Sequence, residues 1–398
     1  MSHFHTADRM KGLSKSSFDM LRKAKELERS GREIIHLEVG EPDFNTPEHI
    51  KEAAKAALDQ NLTHYAPPQG LPELREAIAE DEKKRKGIDV SPDNIIVTPG
   101  AKPVIFFSIM VLSQKGDEVI YPDPGYTSYR SMIKLAGAKP VPLELKEEND
   151  FALDVDKLES IISSRTRIII LNTPHNPTGS ILTMKDFEAV AEIAEKYNLV
   201  VISDEIYSRQ LYEGEHVSIA TLPKMKERTI VVDGFSKAFA MTGWRLGYGI
   251  VPEEILPKIV KFQTETVSCV APFVQKAGIA ALKGDQEPVR QMVERFKQRR
   301  DLVISILEKS KHISVKKPKG AFYLFPNIKK LGVTSFEFTD ILLERYGVSV
   351  LPGSVFGLYG EGYIRISYAA SEDELERGAE KIVKAAEYVY EMKQKEQG

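Results

Sequence analysis

The middle of the chain alternates short, strongly apolar runs with helix-period segments, and this alternation points to βαβ units closing into a mainly parallel sheet. Seven runs read as strands: Ile95 to Thr98, Glu118 to Tyr121, Lys139 to Pro142, Arg167 to Leu171, Leu199 to Ser203, Thr229 to Val232 and Leu246 to Ile250. Several are apolar throughout, as strands buried on both faces are. Between them, Asp154 to Ser163 and Met184 to Tyr197 repeat apolar residues every three or four positions, with Asp154 and Thr183 as caps. Beyond residue 284 the texture changes to a long charged helix, Glu287 to Lys309, a few short strands, and a final helix from Ser371 to Lys393.

The expectation is an α/β chain whose large domain holds a seven-stranded, mainly parallel sheet flanked by helices, with a smaller α+β domain built from the chain ends. Residues 1–45 are assigned to an N-terminal arm and part of the small domain, 46–284 to the large ligand-binding domain, and 285–398 to the C-terminal small domain. A length of 398 residues suits two such units. No repeat or Gly/Ser-rich linker separates them, so an interface between them is expected.

Composition narrows the function classes. A formal net charge of -3 gives no electrostatic reason to expect nucleic acid or an anionic membrane as partner. The one cysteine, Cys269, rules out an internal disulfide framework and any CxxC motif. The N-terminal sequence has no apolar signal-peptide core, and no run approaches the ~20 apolar residues of a membrane span. A cytoplasmic location is expected.

The segment SKAFAMTGWRLG places Ser236 and Lys237 just past the strand that ends near Asp233, with a small-residue loop leading to Trp244 and Arg245. Ligands of open α/β sheets bind at the carboxyl ends of strands, so the Lys237 amine can reach that crevice. A loop lysine is more often simply solvated, and this segment alone leaves both readings open. In SDEIYSRQLY, Asp204 follows an apolar strand and Tyr207 lies one helical turn beyond. Asp204 suits the ring nitrogen of a bound heterocycle, and equally a helix cap.

In NTPHNPTG a strand runs into a turn where Asn172, Asn176, Pro177 and Gly179 impose tight geometry. Asn176 and Tyr207 can also donate to a ring oxygen. In VTPGAKPVIF, Gly100 permits close backbone approach and a helix starts at Ala101 or Lys102. Free N–H groups at that start suit a phosphate, to which Arg245 can add a charged fork. Arg365 lies in the otherwise apolar GYIRISYA and asks for an anion, which is either a substrate carboxylate or an internal salt-bridge partner.

In chain order, Asn176, Asp204, Tyr207, Lys237, Arg245 and Arg365 resemble the class I/II aminotransferases, pyridoxal-phosphate enzymes of fold type I, and among these the prokaryotic aspartate aminotransferases. The likeness spans LEVGEPDFNTP near residue 37 to RISYAASEDEL near residue 375, and includes HYAPPQGLPELREAIA and PDPGYTSY. It implies that Lys237 carries pyridoxal 5'-phosphate covalently and acts as the base, while Asp204 pairs with the pyridine nitrogen. Asn176 and Tyr207 are implied to bind the ring oxygen and Tyr126 to stack on the ring. Ala101, Lys102, Ser236 and Arg245 match the phosphate cup. Arg365 and the Gly40 backbone match carboxylate contacts, and Asn176, Tyr126 and Lys102 also face the substrate. Tyr65 matches a tyrosine that reaches the phosphate of the neighbouring subunit, which implies a homodimer. Gly234 departs from the pattern, because many relatives use a serine there for the phosphate.

The implied activity moves an amino group between an L-amino acid, aspartate favoured, and a 2-oxo acid, 2-oxoglutarate favoured, by a ping-pong cycle. Lys102 is the clue to acidic substrates. Aromatic, alanine or broad specificity, or a C–S lyase of the same fold, would keep every cofactor residue. Other chemistries find less support. GFSKA misses the nucleophile elbow at Ala238, and only His312 follows Ser236. No P-loop, complete G-x-G-x-x-G or H-E-x-x-H occurs, so no metal site is expected. A transcription regulator with an aminotransferase-like domain would need a helix-turn-helix module that the first forty residues do not supply.

Overall fold

The computed structural model describes residues 6–10 and 18–397; residues 1–5, 11–17 and 398, which include part of the expected N-terminal arm, lie outside the described residues. Twelve strands are described: β1 (Ile35–His36), β2 (Ile95–Thr98), β3 (Glu118–Asp123), β4 (Lys139–Glu144), β5 (Thr166–Asn172), β6 (Val200–Asp204), β7 (Thr229–Gly234), β8 (Gly247–Ile250), β9 (Tyr323–Leu324), β10 (Val348–Ser349), β11 (Leu351–Pro352) and β12 (Ile364–Ser367). The seven strands expected from the sequence form one sheet in the order β2-β8-β7-β6-β5-β3-β4. Only β8 runs against its neighbours β2 and β7.

Strand periodicity explains the layering. Ile168 and Ile170 of β5 join a core with Val104 and Phe107 of the helix Lys102–Leu112. Ile169 and Leu171, one position out of phase, pack with Phe187 and Val190 of the helix Met184–Lys196 on the other face. Both faces are thus covered, and the strands need no polar side. Thr183 and Asp186 form a capping box at the start of Met184–Lys196, and Asp154 caps Val155–Ser160. That second helix stops at Ser160, short of the expected Ser163.

The remaining strands lie apart from this sheet. β1 pairs in parallel with β10, so the stretch before residue 40 joins the C-terminal part of the chain. β9, β12 and β11 form an antiparallel trio. The helices Glu287–Leu307 and Glu372–Gln397 pack with them around Phe296, Phe322 and Phe338. No helix among the described residues is long and apolar enough to cross a membrane.

Two local expectations need correction. Tyr207 lies in a turn after β6, not on a helix. Lys237 lies on the one-turn helix Phe235–Ala238 and not in a loop. Both segments follow a strand directly, and distant residues help to hold them. Gln210 Nε2 donates to the Lys237 carbonyl at 2.6 Å, and such non-local partners leave no periodic trace.

Candidate active site

The carboxyl ends of β2, β3, β5, β6 and β7 open into a cavity of about 1130 Å³. Gly40, Ala101, Lys102, Tyr126, Asn176, Asp204, Tyr207, Ser236, Lys237, Arg245 and Arg365 all line it. Tyr65 does not; it projects from the surface with 91% of its area exposed.

Each element contributes through its end. β6 finishes on Asp204, whose carboxyl is held by the Tyr129 hydroxyl at 2.5 Å and by the N–H of Ile206 at 3.3 Å. Burial raises this carboxyl to about 6, and those two hydrogen bonds act in the opposite sense. β7 leads to Lys237, whose ammonium donates to the Gly40 carbonyl. Burial lowers the Lys237 amine to about 8; Glu41 resists the shift, while Arg365, Arg245 and Lys102 add to it.

The start of the helix Lys102–Leu112 has no side-chain cap, which leaves its first N–H groups for an anion. Arg245, at φ 55°, lies across this start, donating to the carbonyls of Thr242 at 2.8 Å and Pro99 at 3.3 Å. Glycine is required on both sides. A Cβ on Gly100 would fall 2.4 Å from the Arg245 guanidinium, and one on Gly247 2.4 Å from the Ala101 nitrogen. Gly234 faces Gly247 across the ladder. A Cβ there would lie 2.9 Å from the Gly247 Cα, so a serine cannot enter without a shift.

Arg365 points from β12 with Nη1 3.2 Å from Asn176 Oδ1 and Nη2 2.6 Å from the Glu38 carbonyl. Its Nε has no partner, and no carboxylate among the described residues forms a salt bridge with it. The internal salt-bridge alternative therefore falls. Tyr323 supports this guanidinium, with its ring centroid 4.3 Å away, and exchanges a hydrogen bond with Tyr207 at 2.7 Å. The Lys102 ammonium lies 5.5 Å from the Tyr126 ring centroid.

Sequence reasoning passed over Tyr129 and Tyr323. Tyr129 falls in a helix beside Met132 and Ile133, and Tyr323 in the run AFYLF, so both read as core packing. Asn172, read only as a turn residue, bridges the strand ends: its Nδ2 donates to the Asp204 carbonyl at 3.0 Å, and its Oδ1 accepts from the Asn176 N–H at 2.9 Å. Among the described residues no group of three or more His, Cys, Asp or Glu is arranged to hold a metal ion.

A strand-end cavity holding a buried amine, a buried carboxyl and an arginine-flanked helix start defines a cofactor-dependent α/β enzyme. Residues 32–382 match the family model for aminotransferases of class I and II, and the chain belongs to that family of pyridoxal-phosphate-dependent transaminases. It is 46% identical to an aspartate aminotransferase of Pyrococcus abyssi, over 92% of this chain and 94% of that protein. It is 45% identical to aromatic-amino-acid aminotransferase 2 of Thermococcus litoralis, with the same coverage. Among solved structures, aspartate aminotransferase from Thermus thermophilus with maleate superimposes with a TM-score of 0.91 at 37% identity, over 96% of this chain and all (100%) of that one.

The residues present fit pyridoxal phosphate. The Lys237 amine is poised to condense with an aldehyde, the buried Asp204 carboxyl has two hydrogen bonds among the described residues, and the uncapped helix start with Arg245 suits a phosphate.

Proposed function

We propose that this aminotransferase exchanges the amino group of aspartate with 2-oxoglutarate, and that it does so in the cytoplasm as a homodimer. The observation that carries the substrate reading is the presence of Lys102 and Arg365 in one cavity with the reactive amine, besides the Arg245 assigned to the phosphate. Arg365 has no carboxylate partner among the described residues, and Lys102 stands at the helix start, so a dicarboxylate can be met at both ends.

Bound pyridoxal phosphate supplies a ring that withdraws electrons and stabilises negative charge at the substrate α-carbon. Asp204 would pair with its pyridine nitrogen and keep that nitrogen protonated. Asn176, through Nδ2, and Tyr207 would donate to its ring oxygen, with Tyr126 beside the ring. Ser236, Arg245 and the backbone N–H groups at Ala101 and Lys102 would hold its phosphate, joined by Tyr65 from a second copy of the chain. Lys237 would hold the cofactor through its amine, and the same amine would move the proton at the substrate α-carbon, a task suited to an amine lowered to about 8. Arg365 grips the α-carboxylate in a fork beside the Gly40 backbone, which orients the bond that breaks. Donor and acceptor use this pocket in turn, so the kinetics are ping-pong.

A second reading, an aromatic donor, draws support from the Thermococcus litoralis relative and from Leu21 and Ile105, apolar residues in the cavity wall. Comparing kcat/KM for aspartate, phenylalanine and alanine with 2-oxoglutarate separates the two. Aspartate is expected to lead, with Lys102→Ala removing roughly tenfold or more of its advantage, a loss worth ~1.4 kcal/mol. Equal use of the three donors, or an advantage that survives Lys102→Ala, overturns the assignment.

A further inference from the structure

Behind Asp204 the chain gathers five charges that the chemistry above does not use, four of them buried and the fifth, Arg85, partly buried. Lys86, the last residue of the helix Pro72–Lys86, has its ammonium 2.7 Å from Asp233, 2.9 Å from Glu205 and 3.1 Å from Glu82. Arg85 adds contacts of 2.9 Å to Glu82 and 3.3 Å to Asp233. Hydroxyl groups complete the shell: Ser203 and Ser218 donate to Glu205, Ser208 to Asp233, and Tyr248 to Glu82. His216 lies 2.9 Å from Glu205.

A buried ionic cluster is weak evidence for stability, since apolar side chains of the same volume often serve as well or better. Its position relates it to the cavity. Glu205 follows Asp204 directly, and Asp233 stands near the end of β7, just ahead of the helix that carries Lys237. One ammonium therefore ties together the ends of two adjacent strands, paired in parallel with Asp204 opposite Val232. The cluster is also unbalanced. Among Lys86, Arg85, Glu82, Glu205 and Asp233, three carboxylates face two cations, and the adjoining Asp81–Arg209 pair, 2.6 Å apart, adds no net charge. Burial alone would depress the Lys86 ammonium, but Asp233, Glu205 and Glu82 more than offset this and hold it charged. In a poorly polarisable interior, the surplus negative charge reaches the neighbouring site with little screening.

We propose that Lys86, Glu205 and Asp233 are positioning residues for transamination: they fix the two strand ends that present Asp204 and Lys237, and they impose the negative potential under which the bound cofactor keeps its protons. The inference rests on the roles proposed above for Asp204 and Lys237. Asp233 and Glu205 both favour the protonated form of Asp204, in keeping with that potential.

The test uses the holoenzyme and the variants Lys86→Met, Glu205→Gln, Asp233→Asn and the double variant Lys86→Met/Glu205→Gln. The readouts are the pH midpoint of the cofactor's visible absorption change, kcat and KM measured separately, and Tm. Removing the cation makes the site more negative, so the midpoint rises in Lys86→Met. Removing an anion makes it fall in Glu205→Gln and Asp233→Asn. Shifts of about half a unit or more are expected from a charge this close. The double variant restores the formal charge and brings the midpoint back towards wild type. In Lys86→Met, kcat is expected to fall roughly tenfold with KM for the amino donor little changed.

Lower Tm values without midpoint shifts of opposite sign would mean a purely structural cluster and overturn the proposal. If Lys86→Met does not fold, Glu205→Gln and Asp233→Asn, which keep side-chain shape, decide alone, and an unmoved midpoint in both overturns it. Borohydride reduction followed by peptide mapping separates the two levels of reading. No pyridoxyl label at Lys237 removes the role given to Lys237, whereas a label there with unmoved midpoints removes only the cluster's role.

Discussion

The Tyr129 hydroxyl donates to Asp204 Oδ2 across 2.5 Å, with both side chains buried. A charge-assisted bond in such a place is worth ~1.5–3 kcal/mol, and it favours the ionised carboxylate that a pyridinium needs opposite it. Tyr129→Phe removes the donor and keeps the ring that packs edge-on to Tyr126 at 5.4 Å. The expected result is a roughly tenfold or greater fall in kcat with little change in Tm, since ~1.4 kcal/mol corresponds to a factor of ten. Steady-state kinetics beside a thermal melt check it; an unchanged kcat would count against Asp204 as the ring-nitrogen partner.

In cofactor-free protein, the Lys237 amine titrates near pH 8 and not at the ordinary 10.5. Between those values the unfolded chain binds the proton more tightly than the folded one. The cost to folding is therefore full below pH 8 and is relieved as pH rises towards 10.5. Pulsed acylation of Lys237 followed by mass spectrometry should reach half its maximal rate near pH 8. A half-rise above pH 10 would contradict the burial of this amine.

Asp204 runs the opposite way. Its carboxyl is raised to about 6 from 3.8, so its ionisation costs the cofactor-free fold up to ~3 kcal/mol above pH 6, a cost that fades as pH falls through 6 towards 3.8. Asp204→Asn keeps an acceptor for Tyr129 and removes the charge. The cofactor-free variant should melt at or above the wild-type temperature at pH 7.5, yet bind pyridoxal phosphate more weakly by fluorescence titration. Unchanged affinity would remove Asp204 from the cofactor contacts.

Gly247→Ala sets a methyl 2.4 Å from backbone atoms of Gly100 and Ala101. Overpacking of that kind costs ~1–3 kcal/mol and here displaces the helix start itself. Gly243, also in the cavity wall, has nothing within 4 Å of its would-be Cβ. Gly247→Ala is expected to lower both Tm and cofactor affinity, while Gly243→Ala changes neither. Equal behaviour of the two variants would refute the close approach.

The seven central strands could be read because each is an apolar run, covered on both faces and bounded by polar or turn residues. Their ends were harder, since the last ladder positions are Asn172, Asp204 and Gly234, which a hydrophobicity pattern assigns to loops. The same positions could be singled out as candidates because motif spacing preserves them. Tyr129 and Tyr323 escaped notice for the converse reason: an aromatic among apolar residues signals packing, and its hydroxyl's partner comes from a distant element. The charged run EDEKKRK, residues 80–86, reads as a solvated helix face, yet its Glu82 and Lys86 side chains are fully buried. Only the folded chain brings Glu205 and Asp233 to meet them.

Arg365 remains a buried guanidinium whose hydrogen-bond partners among the described residues are neutral oxygens. Such a group attracts small acids of any origin. Acetate and formate buffers should thus act as competitors against the amino donor, and diacids lacking an amine, able to bind yet unable to react, are the natural starting point for inhibitors.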